Sequence, residues 1–131
     1  MAKIFTHLVS FGDCDPAGIA YYPNMFSWMD KAFHLSLAPH GGHPKICSDL
    51  GTVGFGLASA SAEFSRPIGD MDALDIHIDD MAWTSKTLTL EYSGRIKDEV
   101  HFTGKEVRCM FVASENGISA GPIGLLKEML E

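Results

Sequence analysis

The chain has 131 residues, of which 46% are hydrophobic and 21% charged, and 17 acidic against 10 basic side chains give a formal net charge of -7. It is too apolar to be disordered, its length fits one domain over residues 1–131, and it lacks a run of about 18 apolar residues that could cross a membrane. The acidic balance and the absence of a basic run argue against nucleic-acid binding through phosphate neutralisation.

The first elements are a strand and a long helix. Residues 3–11 alternate in polarity, which predicts an N-terminal strand that Gly12 closes. A segment rich in proline and glycine follows, and neither element can continue through it. Pro23 suits the first position of a helix, and Pro39 with the glycines after it stops that helix near Ala38.

The helix is apolar around most of its circumference. At about 100° per residue, its apolar side chains cover an arc of roughly 200°, formed by Met25, Phe26, Trp28, Met29, Ala32, Phe33 and Leu37. A helix with this distribution is wrapped by other elements and does not lie on a surface. Asp30 stands at the edge of the arc.

The rest of the chain predicts strands and one more helix. We expect a loop with glycines and histidines over residues 39–54 and strands over 55–64, 74–78, 87–92 and 100–113. A short amphipathic C-terminal helix is expected over 122–130. On the last strand Val107, Cys109 and Phe111 share one side. The order predicts an α+β fold in which a five-stranded, largely antiparallel sheet is covered by one long helix. Its exposed edges favour self-association.

The cysteines indicate the compartment. Cys14, Cys47 and Cys109 are odd in number and form no Cys-x-x-Cys pair, and the N-terminal residues lack the apolar core of a signal peptide. We therefore expect a reducing, cytoplasmic setting.

The segment 11–24 places carboxylates just before a helix start. The first N–H groups of a helix are unpaired and lie at the positive end of its dipole, so they can polarise a carbonyl group. A carboxylate in the preceding loop could attack that carbonyl or deprotonate a water that does so. Asp13 and Asp15 are the candidates, and the alternative is that they only cap turns.

The same segment carries a family resemblance. The run GDCDPAGI at residues 12–19, followed by YPN at 22–24 and WMD at 28–30, closely resembles the signature of the 4-hydroxybenzoyl-CoA thioesterase family. The resemblance is strongest over residues 5–37 and weaker beyond them. It implies the hotdog fold, a five-stranded antiparallel sheet wrapped around one long central helix, with two chains paired edge to edge.

The resemblance also implies an activity and its residues. Asp15 would be the catalytic carboxylate, either as nucleophile or as general base, and the backbone N–H at Tyr22 would polarise the thioester carbonyl. Asp30 would face the acyl pocket, unless local hydrogen bonds occupy it. The implied function is hydrolysis of an aryl- or medium-sized acyl-CoA to the free acid and CoA. The alternatives are a non-catalytic acyl-CoA or acyl-carrier binding module and a hotdog dehydratase, which the absence of a histidine in the Asp15 loop disfavours.

Substrate binding needs further side chains. Cations must meet the CoA phosphates, and Arg108 and Lys86 are the leading candidates, the first of them by family resemblance. Trp83 suggests an apolar, ring-sized acyl pocket. Each site is expected to be completed by a second copy of the chain, in a homodimer or homotetramer.

No cofactor or metal is expected. His40, His43 and Cys47 offer three potential zinc ligands, but their spacing matches no closed site and a fourth ligand is not evident. We expect this segment to be a mobile loop that borders the substrate entrance.

Overall fold

A six-stranded antiparallel sheet wraps a long helix in the computed structural model, which describes residues 2–131. The elements in chain order are β1 Ala2–Leu8, α1 Pro23–Leu37, α2 His43–Leu50, β2 Gly54–Phe64, β3 Ala73–Trp83, β4 Thr87–Ile96, β5 Glu99–Ser114, β6 Gly117–Gly121 and α3 Gly124–Leu130.

The strand order is β1-β3-β4-β5-β2, and β6 pairs with the end of β5. Strand β2 lies at one edge of this sheet, where β5 is its one partner among the described residues. None of the helices between residues 2 and 131 has the length and apolar character that a bilayer crossing requires.

The predicted α+β architecture is confirmed, with three differences in detail. The predicted first strand ends at Leu8, because residues 11–13 turn into a short 3-10 helix. Helix α2 lies within the predicted loop 39–54, where Pro44 sits in its first turn and Gly51 ends it in the left-handed conformation. The sheet has six strands because a hairpin at Asn116-Gly117 adds β6.

The core lies between α1 and the concave face of the sheet. Fully buried side chains of α1 meet those of β3 and β4, among them Met29, Ala32, Phe33, Leu37, Leu74, Ile76, Leu88 and Leu90. Gly104 of β5 faces the helix, and the thioether of Met29 packs directly over it. A glycine at this position lets the helix approach the sheet closely.

This packing predicts a large effect of one methyl group. A Cβ at residue 104 would overlap the Met29 sulfur. We expect Gly104→Ala to lower the free energy of unfolding by about 1–3 kcal/mol through overpacking, measured by urea denaturation. Gly124→Ala is the matched control, since an added Cβ there meets no atom within 4 Å. A Gly104→Ala protein as stable as this control would contradict the packing argument.

Candidate active site

Asp15 sits in a closed turn ahead of α1. Its N–H donates to the Ile19 carbonyl at 2.9 Å, and its own carbonyl accepts from the Gly18 N–H at 2.9 Å. Gly18 has φ +79°, a conformation that favours glycine. One carboxylate oxygen, Oδ1, accepts the Ala17 N–H at 2.9 Å, whereas Oδ2 accepts no hydrogen bond from residues 2–131. The turn therefore presents one carboxylate oxygen that is available for chemistry.

The turn is tied to the helix and to a neighbouring segment. The Asp13 carbonyl accepts both the Tyr21 N–H at 2.8 Å and the Asn24 side-chain amide at 2.7 Å. The Ala20 N–H donates to the Ile68 carbonyl at 2.7 Å. The position of the carboxylate is therefore fixed relative to the start of α1.

Asp13, the other candidate carboxylate, has a structural role. Its Oδ2 lies 2.9 Å from His7 Nε2 and accepts the Ser10 N–H at 3.0 Å, and the His7 ring packs against Trp28. Burial raises the pKa of Asp13, but the hydrogen bonds with Ser10 and His7 outweigh it and hold the pKa below its ordinary value. Asp13 thus anchors the loop that carries Asp15.

Cys14 lies between these two aspartates. Burial, the carboxylate of Asp70 and then that of Asp13 raise the pKa of its thiol. A thiol that stays protonated is a poor nucleophile. The carboxylate of Asp15 is therefore the stronger candidate for the reacting group.

The start of α1 leaves one N–H group open. The Asn24 N–H donates to the Tyr21 carbonyl and the Met25 N–H to the Tyr22 carbonyl, while Pro23 has no N–H. Within residues 2–131 the Tyr22 N–H donates no hydrogen bond. It lies at the positive end of the helix dipole, where a carbonyl oxygen would be stabilised.

Asp30 lies on the wall of an open cavity of about 410 Å³ between α1, α2 and the first residues of β2. Its Oδ1 accepts Arg108 Nη2 at 2.7 Å and lies 3.5 Å from His34 Nε2. His43 from α2 also lines the cavity and accepts the Phe55 N–H on Nε2. Burial, followed by the charges of His34 and Arg108, lowers the pKa of His43.

His34 and His43 both line this cavity, and the sequence analysis did not assign either of them to the site. Their signal is the helical spacing of Asp30 and His34, one turn apart on α1. His43 and Cys47 are likewise one turn apart, with the thiol sulfur 3.6 Å from Nε2. In the described part of the chain, no group of three His, Cys, Asp or Glu side chains is placed to hold a metal ion.

The position of Arg108 does not fit the predicted contact with CoA phosphates. Its side chain is 3% exposed, and it is paired with Asp30 and Glu106 beneath α1. Although Arg108 borders the cavity at Asp30, its side-chain nitrogens already donate to Glu106, Phe55 and Asp30 and leave little for a phosphate group. The sequence analysis expected a phosphate-binding cation on the last long strand, but Arg108 faces α1 and is paired with carboxylates of this chain.

Trp83 and Lys86 lie far from Asp15 in the same chain. The segment before β3 lies beside the Asp15 loop, where the Ala20 N–H donates to the Ile68 carbonyl. Strand β3 then runs from Ala73 to Trp83, a length of roughly 33 Å at 3.3 Å per residue. Lys86 follows in the exposed turn after β3. The indole nitrogen of Trp83 is buried and finds no hydrogen-bond partner in residues 2–131.

The fold and this site define a class of protein: a hotdog domain with a carboxylate loop braced against an open helix start. No protein-family model matches the chain. It is 32% identical over 87 residues to the 4-hydroxybenzoyl-CoA thioesterase of Pseudomonas sp. (strain CBS-3), which covers 65% of this chain and 62% of that protein. The sequence match therefore spans less than two thirds of the length of that relative.

Two further relatives support the class. The chain is 24% identical over 98 residues to the 1,4-dihydroxy-2-naphthoyl-CoA hydrolase of Trichodesmium erythraeum (strain IMS101), covering 75% of this chain and 71% of that one. The solved structure of a gentisyl-coenzyme A thioesterase is 30% identical, covers 91% of this chain and 94% of its own, and has a TM-score of 0.76.

The Pseudomonas enzyme itself has a solved structure with a TM-score of 0.80 at 24% identity, covering 97% of this chain and 96% of that one. The chain belongs to the family of the gentisyl-coenzyme A thioesterase, which it matches at 30% identity over 94% of that chain. The resemblance and the hotdog fold predicted from the sequence are confirmed.

The anchoring role of Asp13 predicts a pH dependence. Because its folded pKa is depressed, ionised Asp13 stabilises the fold above about pH 4, and this contribution is lost as the pH falls through the folded pKa. We expect Asp13→Asn to melt a few °C below the wild type at pH 6, with the gap closing as the pH falls below about 4.

Thermal melts across this range provide the measurement. Asp80→Asn, at an exposed position on β3, is the control and should show a gap that does not depend on pH in this way. A gap for Asp13→Asn that stays constant down to the lowest pH would contradict the anchoring role.

Proposed function

We propose that this protein hydrolyses the CoA thioester of a hydroxylated aromatic acid to the free acid and CoA. The observation that carries the proposal is the pairing of an uncommitted Asp15 oxygen with an uncommitted Tyr22 N–H on one braced loop and helix start. The relatives are named for 4-hydroxybenzoyl, 1,4-dihydroxy-2-naphthoyl and gentisyl esters of CoA, each an aromatic acyl group with a hydroxyl.

In the reaction, the Tyr22 N–H donates to the thioester carbonyl oxygen and stabilises the negative charge that develops there. The Asp15 carboxylate either attacks the carbonyl carbon, giving an anhydride that water then cleaves, or takes a proton from the attacking water. Both routes break the C–S bond, form a C–O bond and consume one water. The thiolate is a good leaving group, so the site needs no strong acid beside the sulfur.

The acyl group would extend to Asp30. A ring hydroxyl could donate to this carboxylate, and the aromatic ring would lie beside Phe55 and Leu57, which line the same cavity. Trp83 is not among the residues that line it. The proposal therefore assigns Asp30, and not Trp83, to the acyl end of the substrate.

A second copy of the chain would complete the site. The free edge of β2 is 11 residues long and carries small side chains, so two copies can pair along it in antiparallel fashion. That pairing sets residues 54–57 of one copy beside residues 61–64 of the other. The cavity at Asp30 would then face the segment 65–72 of the partner, which braces the Asp15 loop.

The same pairing brings the Lys86 end of one copy toward the Asp15 end of its partner. Lys86 forms no ion pair within residues 2–131, so we propose it as a contact for the CoA phosphates.

Two such dimers would associate as a homotetramer. The unpaired state of all three cysteines supports a cytoplasmic location.

Replacing the reacting carboxylate tests the reaction. We expect Asp15→Asn to lower kcat for 4-hydroxybenzoyl-CoA by about 10²- to 10⁴-fold, because an amide neither attacks nor accepts the proton. Thiol release from a panel of acyl-CoA esters is the measurement. Asp49→Asn, an exposed carboxylate on α2, is the matched control and should retain full activity.

Retention of most of the activity in Asp15→Asn would exclude this mechanism. Binding of CoA esters by the wild type without turnover of any of them would favour a non-catalytic acyl-CoA or acyl-carrier binding module in its place.

Mixing two inactive variants tests whether the site spans two copies. Asp15→Asn and Asp30→Asn should each be impaired alone. In a random mixture of the two chains, half the dimers contain one site with both aspartates intact, so we expect about a quarter of the wild-type activity to return. Sedimentation must show dimers or tetramers in the sample. No recovery in mixed dimers would place both aspartates of a site in the same chain.

A further inference from the structure

Two charged residues lie on the face of β5 that packs against α1. Glu106 is 1% exposed and Arg108 is 2% exposed, on the same face as the buried side chains of Phe102 and Met110. Burying a charge is unfavourable unless the charge is paired and hydrogen-bonded. These residues are therefore tolerated only because other groups in the core pair with them.

Every nitrogen of the Arg108 side chain has a partner. Nε donates to Glu106 Oε1 at 3.0 Å, Nη1 donates to the Phe55 carbonyl at 3.1 Å, and Nη2 donates to Asp30 Oδ1 at 2.7 Å. The guanidinium carbon also lies 4.1 Å from the centre of the Phe33 ring. Contacts in three directions and a stacked ring hold the planar group in one orientation.

Glu106 is fixed in turn by Tyr92. The Tyr92 hydroxyl donates to Glu106 Oε1 at 2.6 Å, and the tyrosine is 1% exposed. Burial and the neighbouring carboxylate raise the pKa of Tyr92, so its hydroxyl remains a donor. Burial lowers the pKa of Arg108, but Glu106 and Asp30 more than compensate and raise it overall. The contacts run from Tyr92 through Glu106 to a charged Arg108.

This chain of contacts ends at the cavity and not in the core. The Asp30 side chain is 48% exposed, whereas Arg108 and Glu106 are enclosed. Asp30 Oδ1 is committed to Arg108, but Oδ2 accepts no hydrogen bond from any residue between 2 and 131. Stability alone gives little reason for such an ion pair, because apolar side chains of similar volume often stabilise a core equally well.

We propose that Arg108 is a positioning residue that fixes the Asp30 carboxylate so that Oδ2 accepts a hydrogen bond from a hydroxyl at the far end of the acyl group. The inference rests on the proposed function and deepens it, because it identifies how the site selects a hydroxylated ring. An acyl group without that hydroxyl leaves the carboxylate oxygen without its donor.

The test compares 4-hydroxybenzoyl-CoA with benzoyl-CoA. The wild type should favour the hydroxylated ester by about ten- to hundredfold in kcat/KM, the range that one hydrogen bond to a charged group supplies. Arg108→Lys keeps the charge but loses the planar fork, and Arg108→Gln loses both. Both variants should lose most of the preference, because kcat/KM should fall much further for 4-hydroxybenzoyl-CoA than for benzoyl-CoA.

Three comparisons separate positioning from a structural role. Lys3→Gln removes a cation from an exposed ion pair at the far edge of the sheet and should keep the preference. In an Asp30→Asn background, Arg108→Lys should reduce the preference no further, because Arg108 acts through Asp30. If the Arg108 variants fail to fold, Tyr92→Phe takes their place in the comparison. It leaves both charges in place and should weaken the preference several-fold.

An equal loss of kcat/KM for both esters in the Arg108 variants would overturn the inference. An unchanged preference in Arg108→Lys would overturn it too. Where only Tyr92→Phe folds, an unchanged preference in that variant has the same meaning. Calorimetric binding of the two esters to Asp15→Asn gives the same comparison without turnover. If the wild type hydrolyses neither ester yet binding prefers the hydroxylated one through Arg108, the hydrolytic function fails and the positioning role stands. If both esters are hydrolysed at equal kcat/KM, hydrolysis stands and the positioning role fails.

Discussion

Enclosure of α1 by the sheet is the constraint from which the other features of this molecule follow. Because Met29, Ala32, Phe33 and Leu37 are fully buried, the side of the helix that faces the sheet is closed to a ligand. The N-terminus carries the open Tyr22 N–H, and the side toward β2 carries Asp30. The two polar groups assigned to the proposed reaction thus lie where the sheet does not cover α1.

A wrapped helix must also be held in register with the strands around it. Apolar contacts are non-directional and fix the rotation of a helix poorly. Two contacts are directional. The Met29 thioether fills the space left by the missing side chain of Gly104. The Arg108 guanidinium donates hydrogen bonds to groups on α1, β2 and β5. The polar contact that orients the helix is thus the same contact that orients Asp30 in the cavity. Under the proposed function, stability and specificity would therefore be coupled.

The sequence predicted the parts of this site that depend on local chemistry. Pro23 and the turn-forming residues before it are enough to predict both the helix start and the carboxylate loop, because their backbone restrictions act within a few residues. The prediction of a loop was wrong at α2, because eight residues bounded by Gly42 and Gly51 are too few to show a helical period. Its Ile46 and Cys47 are helical because they pack into the core, which is a tertiary effect.

Strand β5 illustrates a second limit. The apolar side formed by Val107, Cys109 and Phe111 has the alternation expected of a core face, but the residues that face α1 in this stretch are Glu106, Arg108 and Met110. Alternation shows which residues share a side and not which side is inward. Only the partners of Arg108, distant in sequence at Phe55 and Asp30, explain why a charged side faces the helix.

These pairings bear on how an acidic chain could meet a polyanionic ligand. Each of the three arginines is engaged by a carboxylate, Arg66 by Glu99, Arg95 by Asp79 and Arg108 by Asp30 and Glu106. Recognition of CoA phosphates would then rest on lysines and on backbone N–H groups, which act as point charges and dipoles without the bidentate geometry of arginine. Such contacts hold a phosphate loosely and are screened by salt. Most of the discrimination between substrates would therefore come from the acyl end, where Asp30 is rigidly held.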